Sequence, residues 1–177
     1  MKKVLILYTE IAPYLIRGVE QLVREHGAEV HIVRWPLNQE APFKFGEREG
    51  LVLHERKAFS TRALRRFAKE LQPDIIIASG WVDKGYLQVC RDARKHGIPT
   101  VMCGDTAWRG DLRQWVAVVA ARLWLRQTFS HAWITGEAQA RYAERLGFPK
   151  NRIRRGFYAA DIDLATSVEA RSRTAKA

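Results

Sequence analysis

The sequence predicts an α/β fold: a parallel sheet with helices on both faces. Three observations carry this. Short β-rich runs alternate with helical runs along most of the chain. The runs at residues 4–8 and 75–78 are continuously apolar, as strands buried on both faces must be. The helical runs are closed by glycine at several points, where a left-handed cap ends a helix. A chain of 177 residues fits one domain and can bury a sizeable core.

The elements follow in order. Residues 4–8 form the first strand. Pro13 stands near a helix start, Leu15, Ile16, Val19, Leu22 and Val23 recur at helical spacing, and Gly27 follows. Residues 29–35 alternate charged and apolar and read as a second strand. Residues 36–50 are irregular, with Pro36, Pro42, Gly46 and Gly50. A short strand at 51–54 comes before Ser60 and Thr61, which can cap a helix with Leu64, Phe67, Ala68 and Leu71 inside.

Pro73-Asp74 introduces the strongest strand, Ile75-Ile76-Ile77-Ala78. Asp83 opens a helix with Tyr86, Leu87, Cys90 and Ala93 on one side, ending at His96-Gly97. A strand at 99–103, a helix over about 108–127, a strand at 131–135, a helix at 137–146 ending at Gly147 and a strand at 152–158 complete the pattern. The tail, 166–177, has little apolar periodicity and reads as a linker or the start of another element. Strand and helix alternating along most of the chain make the domain, residues 1–165, Rossmann-like.

In an open parallel sheet a ligand binds beyond the carboxyl ends of the strands, where strand order reverses. Three such ends carry polar or glycine-bearing loops: Thr9-Glu10, then Ser79-Gly80-Trp81, then Gly104-Asp105-Thr106-Ala107-Trp108-Arg109-Gly110-Asp111. Carboxylates suit sugar hydroxyls because each accepts several hydrogen bonds. A tryptophan face stacks on the apolar side of a sugar ring, and an arginine can fork onto a phosphate. The candidate acceptor or cleft residues are Glu10, Ser79, Gly80, Trp81, Asp105, Thr106 and Arg109. The competing reading makes Glu10 and Asp105 helix caps, Trp81 and Trp108 packing residues, and Arg109 a solvated side chain.

Other chemistries lack their motifs. No GxGxxG follows the first strand, and no GxxxxGK[ST], GxSxG or HExxH occurs. The five histidines are scattered, and Cys90 and Cys103 have neither metal nor redox spacing, so no metal site is expected. The charged start before residues 4–8 has no cleavage site behind it, and no run reaches the roughly 20 apolar residues of a membrane span. Cytoplasmic residence is the expectation.

The run Pro73 through Trp81, then Gly97-Ile98-Pro99-Thr100-Val101 and Gly104-Asp105, resembles the N-terminal domain of family-4 (group 1) glycosyltransferases. So do Gly136-Glu137-Ala138, Tyr142, Leu146-Gly147, Pro149 and Ile153, and the closing Gly156-Phe157-Tyr158-Ala159-Ala160-Asp161-Ile162-Asp163. The likeness covers roughly residues 3–165, and the ordered set carries it rather than any single motif.

The resemblance implies a GT-B enzyme, a transferase of the hexosyl kind that retains configuration and serves cell-envelope polysaccharide synthesis. It needs no cofactor beyond its nucleotide-sugar donor. This domain would take a glycan or lipid-linked acceptor. The family's C-terminal nucleotide-sugar domain, which carries its Glu-x7-Glu donor signature, is not in this sequence, so the chain alone is expected to be inactive. Thr9-Glu10-Ile11-Ala12 replaces the family's glycine-rich loop, and no catalytic residue is assigned.

The net charge of +11 draws the chain toward anions. Basic residues punctuate the helix at 108–127. Arg113, Trp115, Arg122, Trp124 and Arg126 are candidates for contact with an anionic membrane surface, making the protein peripheral at the inner face. The competing reading is a core helix with snorkelling arginines. Two other functions remain open: a basic nucleic-acid-binding module, disfavoured because Lys and Arg are spread over many helices, and a flavodoxin-like or sensor domain, which lacks an acidic pocket or phosphate-cradling loop.

Overall fold

The computed structural model describes residues 1–36 and 48–157. The end of the expected domain, the tail at 166–177 and the family-like residues 158–163 lie outside them. So does most of the irregular segment, residues 37–47.

The strands are β1 (Lys3–Tyr8), β2 (Glu29–Arg34), β3 (Leu51–Glu55), β4 (Ile75–Ser79), β5 (Thr100–Gly104), β6 (His131–Ile134) and β7 (Ile153–Arg154). The helices are α1 (Pro13–His26), α2 (Thr61–Leu71), α3 (Lys84–Lys95), α4 (Leu112–Thr128) and α5 (Glu137–Arg145). All seven strands pair in parallel, in the order β3-β2-β1-β4-β5-β6-β7. This is the doubly wound Rossmann-like arrangement expected from the alternation.

Local chemistry fixes the element ends. Ser60 Oγ accepts from the Ala63 amide at 3.1 Å and caps α2. Gly27, at φ +57°, ends α1 in the left-handed conformation. Two boundaries differ from expectation. The fourth helix starts at Leu112 rather than near 108, because Asp111 is its cap, accepting from the Gln114 amide at 2.8 Å. The last strand spans only Ile153–Arg154: residues 150–152 form a 3₁₀ turn before it, and residues 155–157 continue without strand pairing.

Each sheet face is covered. Leu5, Leu7, Ile76, Ala78, Met102 and Ile134 meet Leu64, Val89, Leu125 and Ala140 of the four helices α2 to α5. On the other face Val4, Ile6, Val30 and Ile32 meet Ile16 and Val19 of α1, and Phe157 closes over Tyr8 and Trp133. Cys90 and Cys103 are buried, and burial pushes both thiols up, so neither ionises near neutrality.

Two polar clusters brace the core. The Asp83 carboxylate caps α3 through the amides of Gly85 and Tyr86. It also takes two bonds from the Arg56 guanidinium, at 2.9 and 3.2 Å, and one from the Trp35 indole at 3.0 Å. The loops after β2, β3 and β4 are thereby tied together. Burial raises the Asp83 carboxyl, but Arg56, Trp35 and the Tyr86 amide outweigh it and leave it below the usual carboxylate value.

The second cluster is a chain of imidazoles. The His31 ring stacks on His54, with Nδ1 to Nε2 at 3.0 Å, and its own Nε2 lies 2.8 Å from Glu29 Oε1. Phe59 and Phe67 pack edge-on against His54. With both imidazoles neutral, His31 Nε2–H donates to Glu29 and His54 Nε2–H donates to His31 Nδ1.

Asp83→Ala removes a cap and leaves the Arg56 charge unpaired at low exposure. It should cost about 3 kcal/mol in urea unfolding, and Asp83→Asn should fall between it and wild type. A second outcome concerns pH. Burial lowers the His54 pKa and His31 adds to the effect; burial likewise lowers His131, aided by Arg152, Arg154 and Arg94. With depressed native pKa values, the unfolded chain binds more protons on acidification. Their stabilisation is therefore full above 6.5 and is lost as pH falls below that value. The melting temperature should drop between pH 7 and 5, and the drop should shrink in the His54→Gln, His131→Gln double variant.

Candidate functional site

The chain leaves β1 through α1 toward β2 on one side and leaves β4 through α3 toward β5 on the other. The split opens a crevice at the carboxyl ends of the neighbouring strands β1 and β4. A cleft of about 470 Å³ occupies it, within the range of small-molecule sites. Six of the seven cleft candidates, Glu10, Ser79, Gly80, Trp81, Asp105 and Thr106, line it. Arg109 does not: it is exposed on the loop before α4.

Hydrogen bonds hold the floor. Ser79 Oγ accepts from the Thr9 amide at 2.9 Å and lies 3.1 Å from Thr9 Oγ1, tying the loops after β1 and β4 together. Gly80 adopts φ +64°, which an L side chain rarely does, and its amide donates to the carbonyls of Ala78 and Cys103. The buried Tyr86 hydroxyl lies 3.2 Å from the Tyr8 carbonyl and 2.9 Å from that of Val33, which fixes where Thr9 and Glu10 depart.

Neither Glu10 nor Asp105 is a helix cap. The cap position of α1 is Ala12, with no side-chain bond, and that of α4 is Asp111. Both carboxylates stand at the exposed lip, and no Lys, Arg or His lines the cleft among the described residues. The start of α1 opens there too, but Pro13 at its first turn supplies no amide donor. Tyr142 lines the opposite wall, and burial, with Asp111 adding, raises its phenol. Its hydroxyl therefore stays protonated and able to donate.

The tryptophans divide between wall and surface. Trp81 lines the cleft and is half-buried, packing edge-on against Trp124 at 6.3 Å and Tyr142 at 6.5 Å between centroids. Trp108 sits 5.6 Å from Tyr142 and 5.2 Å from Trp115, with the Arg145 guanidinium 4.6 Å over its ring. Trp124, grouped with the membrane-surface candidates from sequence, instead packs inward between Trp81 and Arg91. The physical reason is helix phase: nine residues from Trp115, it points to the other side.

A residue that sequence reasoning missed holds the third loop. Gln114 is buried; its Oε1 accepts from the amides of Arg109 at 2.6 Å and Gly110 at 3.1 Å, and its Nε2 donates to the Ala107 carbonyl at 2.8 Å. The one signal in the sequence was a glutamine early in a largely apolar helix, three residues after its Asp111 cap. Gln139 Nε2 adds a bond to the Asp105 carbonyl at 3.2 Å.

The sequence profile of the glycosyl transferase 4-like domain matches residues 11–155. No curated protein matches the chain by sequence. Among solved structures it is similar to a UDP-N-acetylglucosamine 2-epimerase from Rickettsia bellii, with TM-score 0.58, 18% identity, 88% of this chain and 44% of that one covered. It is also similar to UDP-GlcNAc 2-epimerase from Neisseria meningitidis bound to UDP-GlcNAc, with TM-score 0.57, 10% identity and 86% and 45% covered. A third is the Bordetella bronchiseptica enzyme WbmH in complex with NAD+, with TM-score 0.52, 16% identity and 77% and 56% covered. The chain thus spans less than half the length of the two epimerases. Such identities show the fold alone, and proteins with different ligands share it.

Gln114→Leu leaves two amides and a carbonyl of the 107–110 loop without their partner. It should cost about 2 kcal/mol in chemical denaturation. Amide exchange at Arg109 and Gly110 should accelerate, while exchange in β4 should not.

Proposed function

Because the chain belongs to the glycosyl transferase 4-like domain family, we propose that its cleft holds the acceptor in sugar transfer from a nucleotide-sugar donor. The observation that carries the reading is the convergence of Glu10, Trp81 and Asp105 on one cleft whose formal charges, among the described residues, are carboxylates. Carboxylates and a tryptophan suit a polyhydroxylated ring: the oxygens accept its hydroxyl protons and the indole meets its C–H face. The same lining suits a diphosphate poorly, since among the described residues no cation stands within it to offset the charge. The donor nucleotide therefore calls for a second binding unit facing this one. In the retaining GT-B reading, this domain orients the acceptor hydroxyl toward the donor, and it performs no transfer without that unit.

Titration of the chain with neutral methyl glycosides, followed by tryptophan fluorescence, tests this. A hexose-based or N-acetylhexosamine-based glycoside should bind in the millimolar range, and Glu10→Gln and Asp105→Asn should each weaken it about fivefold to tenfold. UDP alone should leave the emission unchanged. Saturable UDP binding that is lost on changing Asp105, with no response to any glycoside, would overturn the assignment.

A further inference from the structure

The inward side of α4 packs normally: Gln114, Val118, Ala121, Leu125 and Thr128 are buried. Its outward side does not read as a water-facing surface. Leu112 is 80% exposed, Trp115 52%, Val116 60% and Val119 77%. They fall at positions i, i+3, i+4 and i+7, a single stripe over the first two turns. These are half of the large exposed apolar side chains in the described residues, which is more concentration than scattered surface apolars show. An apolar outer face opposite an apolar inner face cannot be accounted for by packing on the sheet.

Charge says what meets this stripe. Arg109 and Arg113 stand at its start and Arg122 and Arg126 beyond its end, all exposed and none ion-paired among the described residues. The stems of Arg122 and Arg126 lie against Gly147, so both heads are carried at the α4–α5 side. The one carboxylate in this stretch, Asp111, caps the helix. A second copy of this chain would set these arginines against arginines and its net +11 against +11. An anionic lipid surface offers what the face lacks: headgroup phosphates for the rim and acyl boundary for the stripe. No helix among the described residues is long and apolar enough to cross a membrane, so α4 would lie in the interface plane.

We propose that the Leu112–Val116–Val119 face of α4, with its arginine rim, docks the protein on an anionic bilayer. The start of α4 follows the carboxyl end of β5, the end at which the cleft opens. Trp115, Trp108 and Tyr142 form a continuous aromatic path from that face to the cleft wall. Docking brings the cleft mouth to headgroup level, and the acceptor it fits is an amphiphile whose sugar enters while its lipid stays in the bilayer. That last step rests on the acceptor reading; the docking does not, and it is measured with no sugar or nucleotide present.

The test is co-sedimentation of the full chain with vesicles of phosphatidylcholine alone and with 30 mol% phosphatidylglycerol, at about 0.15 M salt. The chain should sediment with the anionic vesicles only, with a blue shift in tryptophan emission. Val119→Glu should weaken binding at least tenfold with far-UV circular dichroism unchanged. Arg113→Gln and Arg122→Gln should each weaken it roughly fivefold. Arg62→Gln with Lys69→Gln, on the exposed side of α2, should leave it unchanged. Equal loss from the α2 pair and the α4 variants, retained binding by folded Val119→Glu, or concentration-dependent self-association abolished by Val119→Glu without vesicle binding would each overturn the proposal.

Discussion

The Ser79 hydroxyl sits where the polypeptide splits. The chain departs β1 and β4 toward opposite edges of the sheet, and the gap between them would be a flaw in the packing if the two loops moved independently. Ser79 bonds the amide and hydroxyl of Thr9, and Tyr86 reaches the neighbouring Tyr8 carbonyl from below. Glu10 and Trp81 leave from these tied loops, and the third wall, carrying Asp105, is held by Gln114 and Gln139. The cleft is thus made rigid by backbone-directed side chains that need not touch a ligand themselves. That is the arrangement a binding site requires if its affinity is not to be spent on ordering loops.

Charge is divided as sharply as shape. The chain carries 30 basic and 19 acidic residues, yet among the described residues the formal charges lining the cleft, Glu10 and Asp105, are both negative. The excess arginine lies elsewhere, in part around the outward face of α4. A uniform basic coat would draw any polyanion. A cleft lined by carboxylates, with no cation among the described residues, beside an arginine-rimmed apolar stripe fits the two proposed tasks, reading hydroxyls in one place and meeting phosphate in another.

Much of this was legible in the sequence because it depends on local pattern. The isoleucines of β4, the Ser60 and Asp83 caps and the Gly27 end of α1 are short-range signals, and their order yields the doubly wound sheet. That order in turn places Glu10, Trp81 and Asp105 at one end, since successive parallel strands expose their carboxyl ends together. What stayed hidden depends on contacts distant in sequence. Nothing near Ser79 announces its bond to Thr9, 70 residues away. The His31–His54 stack needs the β2–β3 register, and Gln114 becomes a loop anchor only once the helix start is known. The phase of α4 was unreadable for a simpler reason. With apolar residues on both faces, periodicity does not say which side meets the sheet, and so Trp124 was grouped with Trp115 although the two point apart.

The cleft, not the fold, decides the function, because unrelated chemistries share this fold. The most direct measurement is the position of a bound sugar in crystals of the chain soaked with a neutral methyl glycoside. The account predicts ring density between Glu10, Trp81 and Asp105, with ring hydroxyls within hydrogen-bond distance of the two carboxylates. Ordered sugar density at the β3 or β7 edge of the sheet, with the crevice between β1 and β4 holding only water, would contradict it.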